Sequence, residues 1–316
     1  MDLQIRGISK TYPNGVHALQ DVSLTIPVGM FGLLGPNGAG KSTLMRILAT
    51  LQDADAGTAR LGDVGSGPAP AGAAIDVLRE PERVRQTLGY LPQEFGVYPH
   101  VSAEALLDHF ALLKGITGRG ARRDVVEALL RQVNLWDVRR QKLGGYSGGM
   151  KQRFGVAVAL LGSPTLMIVD EPTAGLDPAE RVRFLNLLGA LGEHSVVILS
   201  THIVEDVTEL CTRFAIINGG RILLESEPAR AVADLRGRIW RRVVSKSELG
   251  TLDREASVIS TKLLAGRTVV HVYGDASPGA EFEPLEPNLE DVYFAAMAGH
   301  IGARAAHHAA RRAGAA

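Results

Sequence analysis

Apolar and polar positions follow two different periods along this chain. Val22, Leu24 and Ile26 are separated by polar neighbours and Pro27 closes the run, which predicts a half-buried strand. Met30 to Leu34 is a short apolar run between glycines, the pattern of a buried strand. Leu44, Ile47, Leu48 and Leu51 then recur at i, i+3, i+4 and i+7 and predict one face of a helix. Ser102 reads as the N-cap of a second helix that carries Leu106, Leu107, Phe110 and Leu113 and stops at Gly115. Val125, Val126, Leu129, Leu130 and Val133 predict a third. Leu166–Val169 and Val196–Leu199 are wholly apolar, as expected of central parallel strands, and each is followed by a helical stretch. Alternation of this kind predicts an α/β core.

The pattern changes after about Glu225. Ile239–Val244, Ser257–Leu264 and Thr268–Tyr273 read as short strands, the last two joined around Ala265 and Gly266. Asn288 reads as the N-cap of a helix with Leu289, Val292, Tyr293 and Ala296 on one face. Together these predict a small α+β appendage. Gly62–Ala73 is a Gly/Pro/Ala stretch without periodicity, expected to be a mobile surface loop. From His300 onward the chain is Ala, His, Arg and Gly, and a disordered tail is expected over 300–316. There is no internal repeat.

Composition narrows the classes. The 316 residues carry 34 Lys+Arg and 34 Asp+Glu, so the basic excess of a general nucleic-acid binder is absent. With 46% hydrophobic and 22% charged residues, the chain is not of the disordered type. A single cysteine, Cys211, excludes an internal disulfide and makes a reducing compartment the default. The most apolar stretch, Phe154–Val169, is broken by Gly162, Ser163 and Pro164, so no membrane-spanning helix is expected. The first dozen residues have no apolar core of a secretory signal. A cytosolic globular protein is the expectation.

Three motifs carry chemistry. Gly35-Pro36-Asn37-Gly38-Ala39-Gly40-Lys41-Ser42-Thr43 fits G-x-x-x-x-G-K-[ST] and lies between a predicted strand and a predicted helix, the context that motif requires. Its glycines let successive backbone N–H groups turn toward phosphate oxygens, and a helix N-terminus adds its positive end. Lys41 is a mobile charge for the β- and γ-phosphates, and the Ser42 hydroxyl can reach Mg²⁺. Leu166–Val169 ends in Asp170 and Glu171, which puts two carboxylates at the C-terminal end of a strand, where ligand sites of parallel sheets lie. Asp170 is suited to Mg²⁺ and Glu171 to polarising an attacking water as general base. Ser147-Gly148-Gly149, after Tyr146, opens a helix with small residues and forms a second candidate anion site.

These motifs, in this order, resemble the nucleotide-binding subunits of ATP-binding-cassette (ABC) transporters, whose signature reads SGG after an apolar residue. Met150 stands where glutamine is usual, as in similar exporter subunits. The resemblance covers residues 3 to 225 closely. It implies a P-loop NTPase cassette: a RecA-like parallel-sheet core, an antiparallel β subdomain and a helical subdomain over about 94–162. An exporter-type accessory domain over 226–299 would follow. It further implies roles for single residues: Tyr12 stacking on adenine, Gln93 sensing metal and water, Asp177 in the loop that crosses a dimer seam, and His202 contacting the γ-phosphate. Mg²⁺ would rest on Ser42, Asp170 and Gln93. Two copies would meet head to tail, each phosphate loop facing the partner's Ser147, Gly148 and Gly149 across ATP.

The appendage narrows the subfamily. Pro287-Asn288-Leu289-Glu290-Asp291-Val292-Tyr293 and Tyr98-Pro99-His100-Val101-Ser102 are similar to type-two exporter ATPases of the daunorubicin-resistance and sodium-efflux kinds. That resemblance implies ATP hydrolysis driving a separate membrane permease, with this chain on the inner face of a bacterial membrane and no nucleic-acid partner. The alternative is a soluble ABC ATPase that acts on the ribosome or on DNA. Members of that kind usually carry two cassettes or a long coiled-coil insertion; here one cassette's motifs lie between Tyr12 and His202.

Overall fold

Two long antiparallel strands open the chain, β1 (Asp2–Thr11) and β2 (His17–Pro27), with Leu3, Ile5, Val22, Leu24 and Ile26 turned into one core. The computed structural model describes residues 1–62, 74–93, 95–173 and 176–302. Most of the expected loop Gly62–Ala73, Ala174, Gly175 and all but the start of the expected tail lie outside the described residues. The chain continues through β3 (Gly29–Leu34), α1 (Lys41–Leu48), β4 (Ala56–Gly62), β5 (Ile75–Asp76), α2 (Pro81–Thr87) and β6 (Leu88–Leu91). Three helices follow, α3 (Ala103–Leu113), α4 (Arg119–Gln132) and α5 (Gly148–Ala159). Then come β7 (Leu166–Asp170), α6 (Pro178–Gly189), β8 (Val196–Thr201), α7 (Val204–Leu210), β9 (Arg213–Asn218) and β10 (Arg221–Ser226). The last part holds α8 (Pro228–Ala233), β11 (Ile239–Val244), α9 (Lys246–Glu255), β12 (Val258–Leu264), β13 (Arg267–Tyr273), β14 (Glu283–Pro284) and α10 (Leu289–Met297).

Six of these strands form the central sheet in the order β10-β9-β3-β8-β7-β6. All its pairs are parallel except β10 with β9. Every residue of β7 and β8 is buried, as their unbroken apolar runs require of strands covered on both faces. The register aligns their C-terminal ends: Leu34 pairs with Thr201, Asp170 with Ser200 and Leu91 with Val169. The segments that leave these ends therefore emerge on one edge of the sheet. An antiparallel sheet, β2-β1-β4-β5, packs its apolar face with one side of the central sheet, joining Leu33, Ile168 and Ile198 to Leu3 and Ile5 in one cluster.

Helix ends explain two departures from the periodic pattern. The face expected through Leu51 stops at Leu48, and Leu51 is 62% exposed. Thr50 takes φ +59°, its N–H bonds Ile47 O, and the Leu51 N–H bonds Arg46 O; this Schellman closure turns the chain out of the helix one turn early. Leu113 is likewise exposed although it lies on the expected face. The same closure follows it at Gly115, φ +88°, with Gly115 N–H on Leu112 O and Ile116 N–H on Ala111 O. At the other end of α3, Ser102 caps as expected, its hydroxyl accepting from Ala105 N–H.

The appendage is a four-stranded sheet, β12-β13-β11-β14, with its β12–β13 turn at Ala265 (φ +48°) and Gly266 (φ +78°), the two positive φ angles of a type I′ hairpin. Leu252 of α9 packs with Val244, Val270 and Val272. α10 packs against α7 and α8 as well as β12. Its Leu289, Val292, Ala295 and Ala296 share one apolar cluster with Phe214, Leu223, Ala231 and Leu235, so the core runs unbroken across residue 225. Asn288 caps α10 in a capping box with Asp291, and Asp291 also bonds His271 Nδ1 at 2.7 Å. His300 stacks on Tyr273 with 5.0 Å between ring centroids, and Ile301 packs on the main core, so the chain stays packed to Gly302.

Candidate functional site

The turn between β3 and α1 is shaped by glycines at the points where a side chain would not fit. A Cβ at Gly35 would lie 2.3 Å from Ile217 O, and one at Gly40, which adopts φ +107°, would lie 2.5 Å from Ala18 O. The turn delivers Lys41 to the first position of α1, where it is 4% exposed. Lys41 Nζ donates to Gly35 O at 2.7 Å and to Pro36 O at 3.2 Å, and lies 3.3 Å from Glu171 Oε1. All three ammonium donors are thus committed within the protein. Beside the turn is a cleft of about 460 Å³ lined by Pro36 to Thr43, by Tyr12, by Val16 to Ala18, and by Gln93 and Glu171. The Tyr12 hydroxyl bonds Thr43 Oγ1 at 3.1 Å and donates to Gln52 Oε1 at 3.3 Å. The Thr43 contact is the largest of the influences that hold the Tyr12 phenol below its ordinary pKa.

Three sheet ends converge on one carboxylate. Glu171 follows β7, Gln93 follows β6 and His202 follows β8. His202 Nδ1 lies 3.1 Å from Glu171 Oε2, and Gln93 Nε2 donates to the same oxygen at 3.3 Å. Glu171 adopts φ +46°, a strained region for a side-chain-bearing residue that costs about 1–3 kcal/mol, and it precedes Pro172. Its N–H is held by Ser200 O at 2.8 Å. Asp170 ends β7 at 4% exposure, and its Oδ1 has no hydrogen-bond partner among the described residues. Its negative charge adds to burial in pushing the Tyr90 phenol up.

Ser147, Gly148 and Gly149 stand apart from this cleft, at the start of α5. The Ser147 hydroxyl caps the helix by accepting from Met150 N–H at 3.2 Å, and a Cβ at Gly148 would meet only open space. Asp177 caps α6, accepting from Glu180 N–H at 2.9 Å. The sequence-based residues thus fall into two groups: Tyr12, the phosphate-type loop, Gln93, Glu171 and His202 come together with Asp170 behind them, while the Ser147 group and Asp177 lie at helix starts elsewhere in the same chain.

Residues 19–174 match the family model described as ABC transporter. The chain is 32% identical to the daunorubicin/doxorubicin resistance ATP-binding protein DrrA of Streptomyces peucetius over 88% of its length and 79% of that protein's. This chain belongs to the ABC transporter family. It is also 30% identical to the uncharacterized ABC transporter ATP-binding protein YxlF of Bacillus subtilis, across 92% of this chain and 98% of that one. A solved ATP-binding subunit of an ABC transporter superposes with a TM-score of 0.63 at 26% identity, covering 74% of this chain and 93% of that chain. A dimeric cassette bound to ADP and phosphate shares the fold, with a TM-score of 0.61 and 24% identity over 71% of this chain and 98% of its own. As an ABC ATPase, this chain binds and hydrolyses ATP with the cassette that carries the loop at Gly35.

One residue of this ABC ATPase carries no motif and bonds the neighbours of two site residues. Asp206, in the first turn of α7, is fully buried. Its Oδ2 accepts from Thr173 Oγ1 at 2.6 Å and from Thr201 Oγ1 at 3.2 Å. Its Oδ1 accepts from Arg181 Nε at 3.0 Å and Nη2 at 2.7 Å. Burial opposes the Arg181 charge, but the bond and charge of Asp206, with Glu209 and Glu205, outweigh it and push the guanidinium pKa up. Burial, helped by the Asp206 charge, pushes the Cys211 thiol up to about 12. In sequence Asp206 reads as an ordinary acid at a helix start; its only sign is its place four residues after His202.

Proposed function

We propose that this chain is the ATPase subunit of a bacterial exporter, pairing head to tail with a second copy on ATP and driving a separate membrane permease. The observation that carries this reading is the convergence of Lys41, Gln93 and His202 on Glu171 beside the phosphate-type loop. In this reading Tyr12 stacks on the adenine, and the N–H groups of residues 35–43 cradle the phosphates. The Lys41 ammonium leaves Gly35 O and Pro36 O for the β- and γ-phosphates. Glu171, released from Lys41, accepts a proton from the attacking water, with His202 and Gln93 fixing its carboxylate. His202 also contacts the γ-phosphate.

Asp170 Oδ1, buried and without a described partner, suits a hard cation, and Ser42 and Gln93, which line the cleft, carry further oxygen ligands. These residues would hold Mg²⁺, which supplies charge neutralisation on the phosphates when bound. The open start of α5 at Ser147 and Gly148 serves the partner's nucleotide, and the loop before Asp177 runs along the seam. Among the described residues no helix is long and apolar enough to cross a membrane. The drug-resistance relative supports export, with this subunit held against the inner membrane face by its permease.

The test is Glu171→Gln. This variant binds ATP without hydrolysing it, and light scattering after gel filtration with ATP and Mg²⁺ gives roughly twice the 33.7 kDa of one chain. A monomer under saturating ATP counts against both the general-base role and the paired arrangement.

A further inference from the structure

Glu171 and His202 follow two neighbouring strands; the Glu171 N–H bonds Ser200 O at 2.8 Å, and the two side chains meet at 3.1 Å. A further tie lies behind them. Thr173 is two residues after Glu171, and Thr201 immediately precedes His202. Both hydroxyls donate to the same oxygen of Asp206. Thr201 Oγ1 also accepts the Ile203 N–H at 2.9 Å, so one hydroxyl holds the backbone on either side of His202. The other Asp206 oxygen takes two donors from Arg181 of α6. Four donors therefore reach a carboxylate that has no contact with water, which accounts for all the acceptor capacity it has.

A buried ion pair of this kind is weak evidence for stability, because desolvation offsets most of the attraction. Its location argues for another purpose. We propose that Asp206 is the positioning residue that sets Glu171 and His202 in register, acting through Thr173 and Thr201 and itself held by Arg181. Next to Arg181 in α6, Glu180 lies 3.6 Å from Arg153 in the middle of α5. The inference rests on the reading that Glu171 and His202 act on ATP. Displacement of a catalytic group by about 1 Å lowers a rate by roughly 100-fold, so a tie of this kind bears on kcat and leaves nucleotide binding alone.

The experiment measures kcat, the KM for ATP and thermal melting of the full chain carrying Asp206→Asn, Thr173→Val, Thr173→Ser or Glu171→Gln. Asp206→Asn lowers kcat by about 100-fold with KM held within about twofold. Thr173→Val keeps the side-chain shape, loses the donor, lowers melting by a few degrees while the protein stays fully folded at the assay temperature, and lowers kcat by about tenfold; Thr173→Ser restores kcat. Should Asp206→Asn fail to fold, the two Thr173 variants decide. Unchanged kcat in folded Thr173→Val overturns the inference. So does an equal loss in Thr173→Ser, or a KM that moves in step with kcat. Wild-type hydrolysis by Glu171→Gln overturns the underlying reading; an inactive Glu171→Gln beside fully active Asp206→Asn and Thr173→Val overturns this inference alone.

Discussion

Lys41 and Glu171 neutralise each other at 3.3 Å inside the phosphate-type loop, both nearly without solvent. Their pairing means that neither is a free buried charge before nucleotide arrives, a state that would be costly for either one. Lys41→Ala removes the phosphate partner and leaves Glu171 with only Gln93 and His202. Hydrolysis by that variant falls at least about 100-fold, read by phosphate release; near-normal turnover would count against the loop's role. At this scale the sequence is legible wherever chemistry comes as a run of adjacent residues. The loop at Gly35, the Asp170-Glu171 pair and the cap at Ser147 all depend on neighbours in the chain. Asp206 was hidden because its partners, Thr173, Arg181 and Thr201, are separated from it in sequence and meet only once α6, α7 and β8 pack.

Helices and strands were legible where periodicity alone decides them. β7 and β8 follow directly from their apolar runs, and α3 from its cap at Ser102 and its glycine at Gly115. Leu51 falls beyond α1 because periodicity says nothing of where a helix stops, and the backbone closure at Thr50 sets that; Leu113 stays in α3 but its side chain is exposed. The packing of α10 was also out of reach. Its apolar face was evident from Leu289, Val292 and Ala296, but an amphipathic helix does not name its partner, and here it is the cassette itself. Asp291 secures that helix twice, through the cap at Asn288 and through buried His271. Asp291→Ala therefore lowers unfolding stability by about 2–4 kcal/mol in urea titration, combining a lost cap with a buried His left unpaired. ATP affinity of the folded fraction stays the same, since α10 contributes no residue to the cleft.

For the whole molecule, the two surfaces proposed to face nucleotide, the cleft at Gly38 and the helix start at Ser147, belong to different parts of one chain. If both serve nucleotide, a second copy must be recruited, and stability becomes linked to chain concentration. ATP at about a hundred times its Kd adds about 2.7 kcal/mol to a protein that binds it only when folded. For Glu171→Gln in ATP, the melting temperature rises further as the chain is concentrated, whereas nucleotide-free wild type melts at one temperature. A concentration-independent melt in ATP would mean that each chain closes its site alone. The place of α10 has a separate consequence for biosynthesis. Residues 289–297 leave the ribosome after every other element described, yet they complete the apolar core around Phe214 and Leu223. The cassette therefore reaches its finished core only once translation has passed Met297, and a product ended early exposes that surface to chaperones and proteases.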